Sequence, residues 1–148
     1  MIRTMFAIRR RVRGLGIRLL ALAAAALILA ATFVPTNGGG RGGYPYAIFD
    51  TSVQREYQLF AVEPFAVAFL AAATALLLLG RMASFAAGVL LAFGAQSFVL
   101  FLAHVGAAAF GNPQYNSFRP GGLLGVVGAL LLLAAGLLAF LSIARARG

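Results

Sequence analysis

The chain has 148 residues, 62% of them apolar and only 10% charged, with a mean hydropathy of +0.96. Soluble domains carry roughly 25% charged residues, so this chain cannot clothe itself in polar groups, and lipid must be part of its solvent. The net charge of +9 comes from twelve Arg and no Lys, and Cys is absent, which excludes disulfides, thiolate metal sites and dithiol redox chemistry.

Residues 1–18 form a basic segment that holds half of the arginines: Arg3, Arg9, Arg10, Arg11, Arg13 and Arg18. Such a cluster beside an apolar run marks a cytoplasmic flank facing anionic lipid. With no further domain to shape a groove, it argues against nucleic acid as a partner. Ile2, Met5, Phe6 and Val12 fall near one helical face. That pattern suits either a short interfacial helix or a frayed tail. The first span is expected over 19–34, uncharged and closed by Pro35. A run of that length is about 24 Å of helix; Arg18 can snorkel, which lets Gly14 to Ile17 complete the crossing. A basic front and an apolar middle also describe a signal peptide, but the small-x-small cleavage pattern is poor near Ala30. The residues after the Arg run, Val12, Arg13 and Gly14, fit a twin-arginine signal badly. An uncleaved helix is therefore expected.

Residues 35–63 form the long outer loop. Its glycine run at 38–40 and 42–43 should resist regular structure. Phe49, Val53, Tyr57 and Phe60 recur at near-helical spacing after a capping pattern from Thr51 to Gln54, so 51–59 is expected as a short amphipathic helix at the outer surface. Tyr44, Tyr46 and Tyr57 suit headgroup level. Glu63-Pro64 is a good helix start, with a carboxylate at the positive end and Pro in the first turn. From Phe65 to Phe110 the only formal charge is Arg81. One helix of that length would be about 69 Å, twice a bilayer core, so the run must fold back once, at Gly80 and Arg81. The second span is then 64–79 and the third 82–110. A polar turn with two prolines occupies 111–120, and the fourth span is 122–143, followed by Arg145 and Arg147.

The arginines also orient the bundle. With the N-terminus inside, 1–18, Arg81, Arg145 and Arg147 lie inside; Arg41, Arg55 and Arg119 lie outside with all three acids, Asp50, Glu56 and Glu63. That is a clear positive-inside bias. The expected fold is an all-α, integral membrane four-helix bundle over 19–148. Both ends face the cytoplasm, and one long extracytoplasmic loop joins helices 1 and 2. Arg9, Arg10, Arg11, Arg13, Arg18, Arg81, Arg145 and Arg147 are the expected lipid headgroup contacts.

Few residues in the spans carry chemistry. Ser97 and His104 share a helix face but lie about 10 Å apart along the axis, too far for a nucleophile and its base. No catalytic set, metal site or cofactor is expected; His104 is the sole His and would need a second axial ligand from another subunit to hold haem. Glu63 and His104 both fall near the outer interface, and Gln96 lies deeper. As a group they have two readings. In one they form a pH-sensitive polar site; in the other they are a helix cap, a wetted interfacial His and an amide bonded to a neighbouring helix. The clearest pattern is one of small residues. Gly121, Gly125 and Ala129 repeat every four, Gly128 and Gly136 add to the same helix, and Gly88 and Ala92 stand four apart in the third span. Such faces let helix backbones approach closely, within the chain or against another. The functional expectation is a non-catalytic accessory or assembly subunit of a larger bacterial membrane complex in the cytoplasmic membrane, with other membrane subunits or self-association as its partnerships. The alternative is a homo-oligomeric small-solute channel or transporter with Gln96, His104 and Glu63 facing the path.

Overall fold

The computed structural model describes residues 2–38, 45–47, 66–76, 78, 82–110, 117–118 and 120–147. Three long helices dominate: α1 (Ile2–Phe33), α3 (Ala83–Phe110) and α4 (Pro120–Arg147), with the shorter α2 (Ala66–Leu76) between α1 and α3 in sequence. The stretches Gly14–Phe33, Ala83–Ala103 and Pro120–Arg145 are each long and apolar enough to cross a membrane. The chain is a membrane-embedded helical protein. α2, at about 16 Å, is half the thickness of a bilayer core.

These helices form because nothing in them interrupts the ladder. They are Ala- and Leu-rich, without internal Pro, and away from their end turns their backbone groups are satisfied within the segment, as lipid demands. α1 runs unbroken through its basic segment, so the first residues and the first span are one helix of about 48 Å, not a separate interfacial piece. α4 begins at Pro120, where the missing N–H costs nothing.

α4 is the central helix and packs on both α1 and α3. Both neighbours run antiparallel to it. Gly128 meets Ile28, while Ala139 and Ser142 share a cleft with Gly14 and Ile17. On the other side Gly94 meets Leu133, Gly125 meets Phe101, and Gly136 meets Leu91. Hence α1 and α3 are parallel to each other, and the chain returns along the bundle between Phe33 and Ala83. Ala68, Ala71 and Ala75 of α2 join Ala21, Ala24, Ala25 and Ile28 of α1 in the buried core, along with Leu90, Phe101, Leu132 and Ala135.

Burial follows the seven-residue repeat of coiled-coil packing. In α3 the buried seam is Ala87, Leu90, Gly94, Ser97 and Phe101; in α4 it is Gly125, Gly128, Leu132, Ala135 and Ala139. Alternating steps of three and four keep the α3 stripe on α4, the spacing that accompanies left-handed crossings, while the α4 set is divided between α3 at Gly125 and α1 at Gly128.

The end of the bundle away from Arg18 departs from the expectation of an irregular loop and turn. Three short strands, β1 (Pro35–Gly38), β2 (Pro45–Ala47) and β3 (Ser117–Phe118), pair antiparallel in the order β2-β1-β3. Asn37 stands opposite both Tyr46 and Phe118. The reason is positional: the ends of α1 and α3 bring two extended segments side by side, and their backbone groups need partners. The expected surface helix at 51–59 and the turn at Gly80 and Arg81 lie outside the described residues.

Candidate functional site

The strongest geometry is the seam between α3 and α4. A methyl group built on Gly94 would lie 2.8 Å from both Cγ and the backbone N of Leu133; one built on Gly136 would lie 2.9 Å from Cγ and N of Leu91 and 3.1 Å from the carbonyl of Ala87. At Gly125 it would fall on the ring of Phe101, which is wholly buried. Gly128 serves the other neighbour: its added methyl would lie 2.9 Å from Ile28 Cγ1 and 3.1 Å from the Ile28 backbone N. α4 thus carries two smooth faces, one for each flanking helix, and backbones approach as they do wherever dispersion rather than the hydrophobic effect drives association. Gly121 and Ala129 are buried on the same helix.

Gly88 and Ala92 stand elsewhere. Both are exposed, and a methyl built on Gly88 meets nothing within 4 Å. They face away from α4 because the inner stripe of α3 runs through Ala87, Leu90 and Gly94, leaving 88 and 92 on the far side. Phe85, Gly88, Ala92, Ala95, Val99 and Leu102 form this outer stripe, all exposed and spaced by threes and fours.

The polar residues do not converge. Gln96 is exposed on α3, whereas Ser97, its neighbour, is 2% exposed and turned into the bundle. The backbone of His104 belongs to α3 two turns further on; Glu63 lies outside the described residues. Among the described residues no three of His, Cys, Asp or Glu come together. Three other hydroxyls in the helices donate to carbonyls a turn back: Thr32 to Leu29, Thr74 to Leu70 and Ser142 to Ala139. Ser97 Oγ is buried and has no partner. An unpaired buried hydroxyl opposes folding by about 1–2 kcal/mol, so Ser97→Ala should raise the thermal midpoint in detergent or leave it unchanged. A clear drop would show that the hydroxyl is bonded.

At the opposite end from the strands, Arg18 Nη2 donates to the Leu76 carbonyl at 2.6 Å. This guanidinium caps the last turn of α2, where carbonyls lack intrahelical partners and a cation is favoured. Its Nε is buried without an acceptor. Arg145 is exposed nearby in sequence terms, three residues after Ser142 of the cleft shared with α1. Arg9, Arg10, Arg11 and Arg13 lie along the first half of α1 and Arg147 ends α4; Arg81 lies outside the described residues.

Sequence reasoning passed over Gly94 and Phe101, the residues at the closest α3–α4 approaches. The signal present was their seven-residue separation, the same register as Ala87, but it is one apolar pattern among several in that helix. No protein-family model, curated protein or solved structure matches this chain.

Proposed function

We propose that this chain is a non-catalytic packing subunit of a larger membrane assembly, spanning a bacterial cytoplasmic membrane four times with both ends inside. The observation that carries the reading is the outer stripe of α3. Where α4 faces away from the bundle it shows Leu123, Val127, Leu130, Leu137, Leu138 and Phe140, side chains suited to lipid tails. The middle of the α3 stripe instead shows Gly88, Ala92 and Ala95, with Gln96 at its edge. Small residues gain nothing from lipid and much from a close helix. α1 adds an exposed Ala23, Ala26 and Ala30.

The four-crossing reading is supported by chain direction. α1 and α3 are parallel, so the chain must travel the length of the bundle between them, and the segment that does so contains α2, packed in the core. Arg18 and Arg145 at one end agree with that end being cytoplasmic.

The test is purification of the tagged chain from native membranes in mild detergent, with mass spectrometry and a particle mass. Stoichiometric membrane partners are expected, and Gly88→Leu should lose them while keeping the thermal midpoint, because among the described residues nothing lies within 4 Å of a methyl built at that site. A clean homo-oligomer would favour the channel or transporter reading instead; a lone monomer would end the assembly reading.

A further inference from the structure

At the arginine-bearing end, Gly14, Ile17, Leu78, Ala139, Ser142 and Ile143 line a cleft of about 40 Å³. That is room for about three waters or for a single phosphate group. Arg18 stands one turn beyond Gly14 on α1 and next to Ile17; its side chain is half-buried, one nitrogen holding the Leu76 carbonyl and Nε lacking any acceptor. Arg145 is exposed about one turn beyond Ser142 on α4. No carboxylate lies among the described residues. Two arginines thus stand within about a turn of the cleft's lining residues on α1 and α4, and among the described residues no carboxylate answers them. A guanidinium held at membrane depth with an unmet N–H is costly. An ionised oxygen is the acceptor that meets it best.

The geometry points to an anion site here, whose occupant is the phosphate of an anionic phospholipid. Arg18 and Arg145 supply the charge. The Ser142 hydroxyl, now donating to Ala139 at 2.8 Å, can turn to donate to a phosphate oxygen. Inorganic phosphate shares this chemistry, but Ile17, Leu78, Ala139 and Ile143 give the cleft an apolar wall. Such a wall suits the glycerol and first acyl carbons of a lipid and offers a bare phosphate nothing. The site uses α1, α4 and Leu78, and is independent of the outward stripe of α3.

The test is titration of the purified full chain in neutral detergent with phosphatidylglycerol, phosphatidylcholine and inorganic phosphate, read by native mass spectrometry and by the thermal midpoint. Phosphatidylglycerol should bind and raise the midpoint more than phosphatidylcholine, whose phosphate is accompanied by a choline cation that a second arginine disfavours. Arg18→Gln should weaken the binding about tenfold, the loss of one charge-assisted contact. Because Arg18 also caps α2, Ser142→Leu and Arg145→Gln, at exposed positions, test the site without touching that cap. The first should abolish binding by filling the cleft, and the second should weaken it. A midpoint rise with inorganic phosphate alone, lost in the same variants, would uphold the anion site and overturn its lipid occupant. Equal binding of phosphatidylcholine, or phosphatidylglycerol binding unchanged in Ser142→Leu and Arg145→Gln, would overturn the site itself.

Discussion

Gly136→Ala should lower the thermal midpoint of the purified chain, and Gly88→Ala should raise it or leave it unchanged. Both substitutions put the same methyl group into the interior of an apolar helix, and both gain about 1 kcal/mol of helix propensity. The surroundings decide the sign. At Gly136 the added carbon meets Leu91 N and Cγ at 2.9 Å and the Ala87 carbonyl at 3.1 Å. Two of those three atoms are backbone, so relief requires α3 to move as a body. Overpacking of this kind costs about 1–3 kcal/mol, enough to cancel the propensity gain and exceed it; Gly136→Val should reach the upper end. At Gly88 nothing lies within 4 Å, so only the propensity gain remains. Unfolding by heat or by a denaturing detergent, measured on the pair, checks this. Shifts of the same sign in both variants would mean that α3 and α4 do not meet at Leu91.

The long helices were legible because lipid leaves charge as the only strong punctuation. Between Phe65 and Phe110 a single Arg had to mark a reversal, and α3 begins at Ala83, two residues beyond it. Pro120 and the basic tail bracket α4 in the same way. What sequence could not convey was rotation about each helix axis. In water an apolar stripe beside a polar one declares which face is inside. Here Leu90, buried, and Val99, exposed, are equally apolar, and the contrast that orients a soluble helix is missing. Gly88 and Ala92 looked like a packing face and face outward, while Gly94, three residues before Ser97, lies against Leu133.

The arrangement at the Arg18 end was half legible. Arg18 was expected to snorkel towards the interface; the structure shows its guanidinium on the Leu76 carbonyl. Its bond to Leu76 spans 58 positions in the chain and depends on where α2 ends, which no local pattern announces. The same holds for the strands. Pro35–Gly38 has neither alternation nor β-branched residues beyond Thr36 and pairs only because the helix ends deliver it to Ser117 and Phe118. Local propensity was overridden by tertiary placement in both cases.

Phe101→Ala should cost about 3–5 kcal/mol, the usual range for deleting a buried aromatic ring, and Gly125→Leu should cost at least as much; together the two should cost about 0.5–3 kcal/mol less than the sum of the single losses. The ring of Phe101 is fully buried and occupies the space over Gly125 that a side chain would need. Knob and hole sit on opposite helices, so a leucine grown from α4 can refill the volume that the ring vacates on α3. Residues in direct contact show coupling energies of about 0.5–3 kcal/mol, and volume-conserving exchanges are the best tolerated changes in a packed core. Phe140→Ala serves as a reference, because that ring is 54% exposed on α4 and its loss opens no cavity. The midpoints of the four variants, measured in one detergent, decide the matter. If the double variant is as unstable as the two losses combined, Phe101 and Gly125 do not share a contact and the register of α3 on α4 must be shifted. If it recovers, the α3–α4 seam is a fixed unit, and the outer stripe of α3 is presented to its surroundings at a set angle rather than by a helix free to turn.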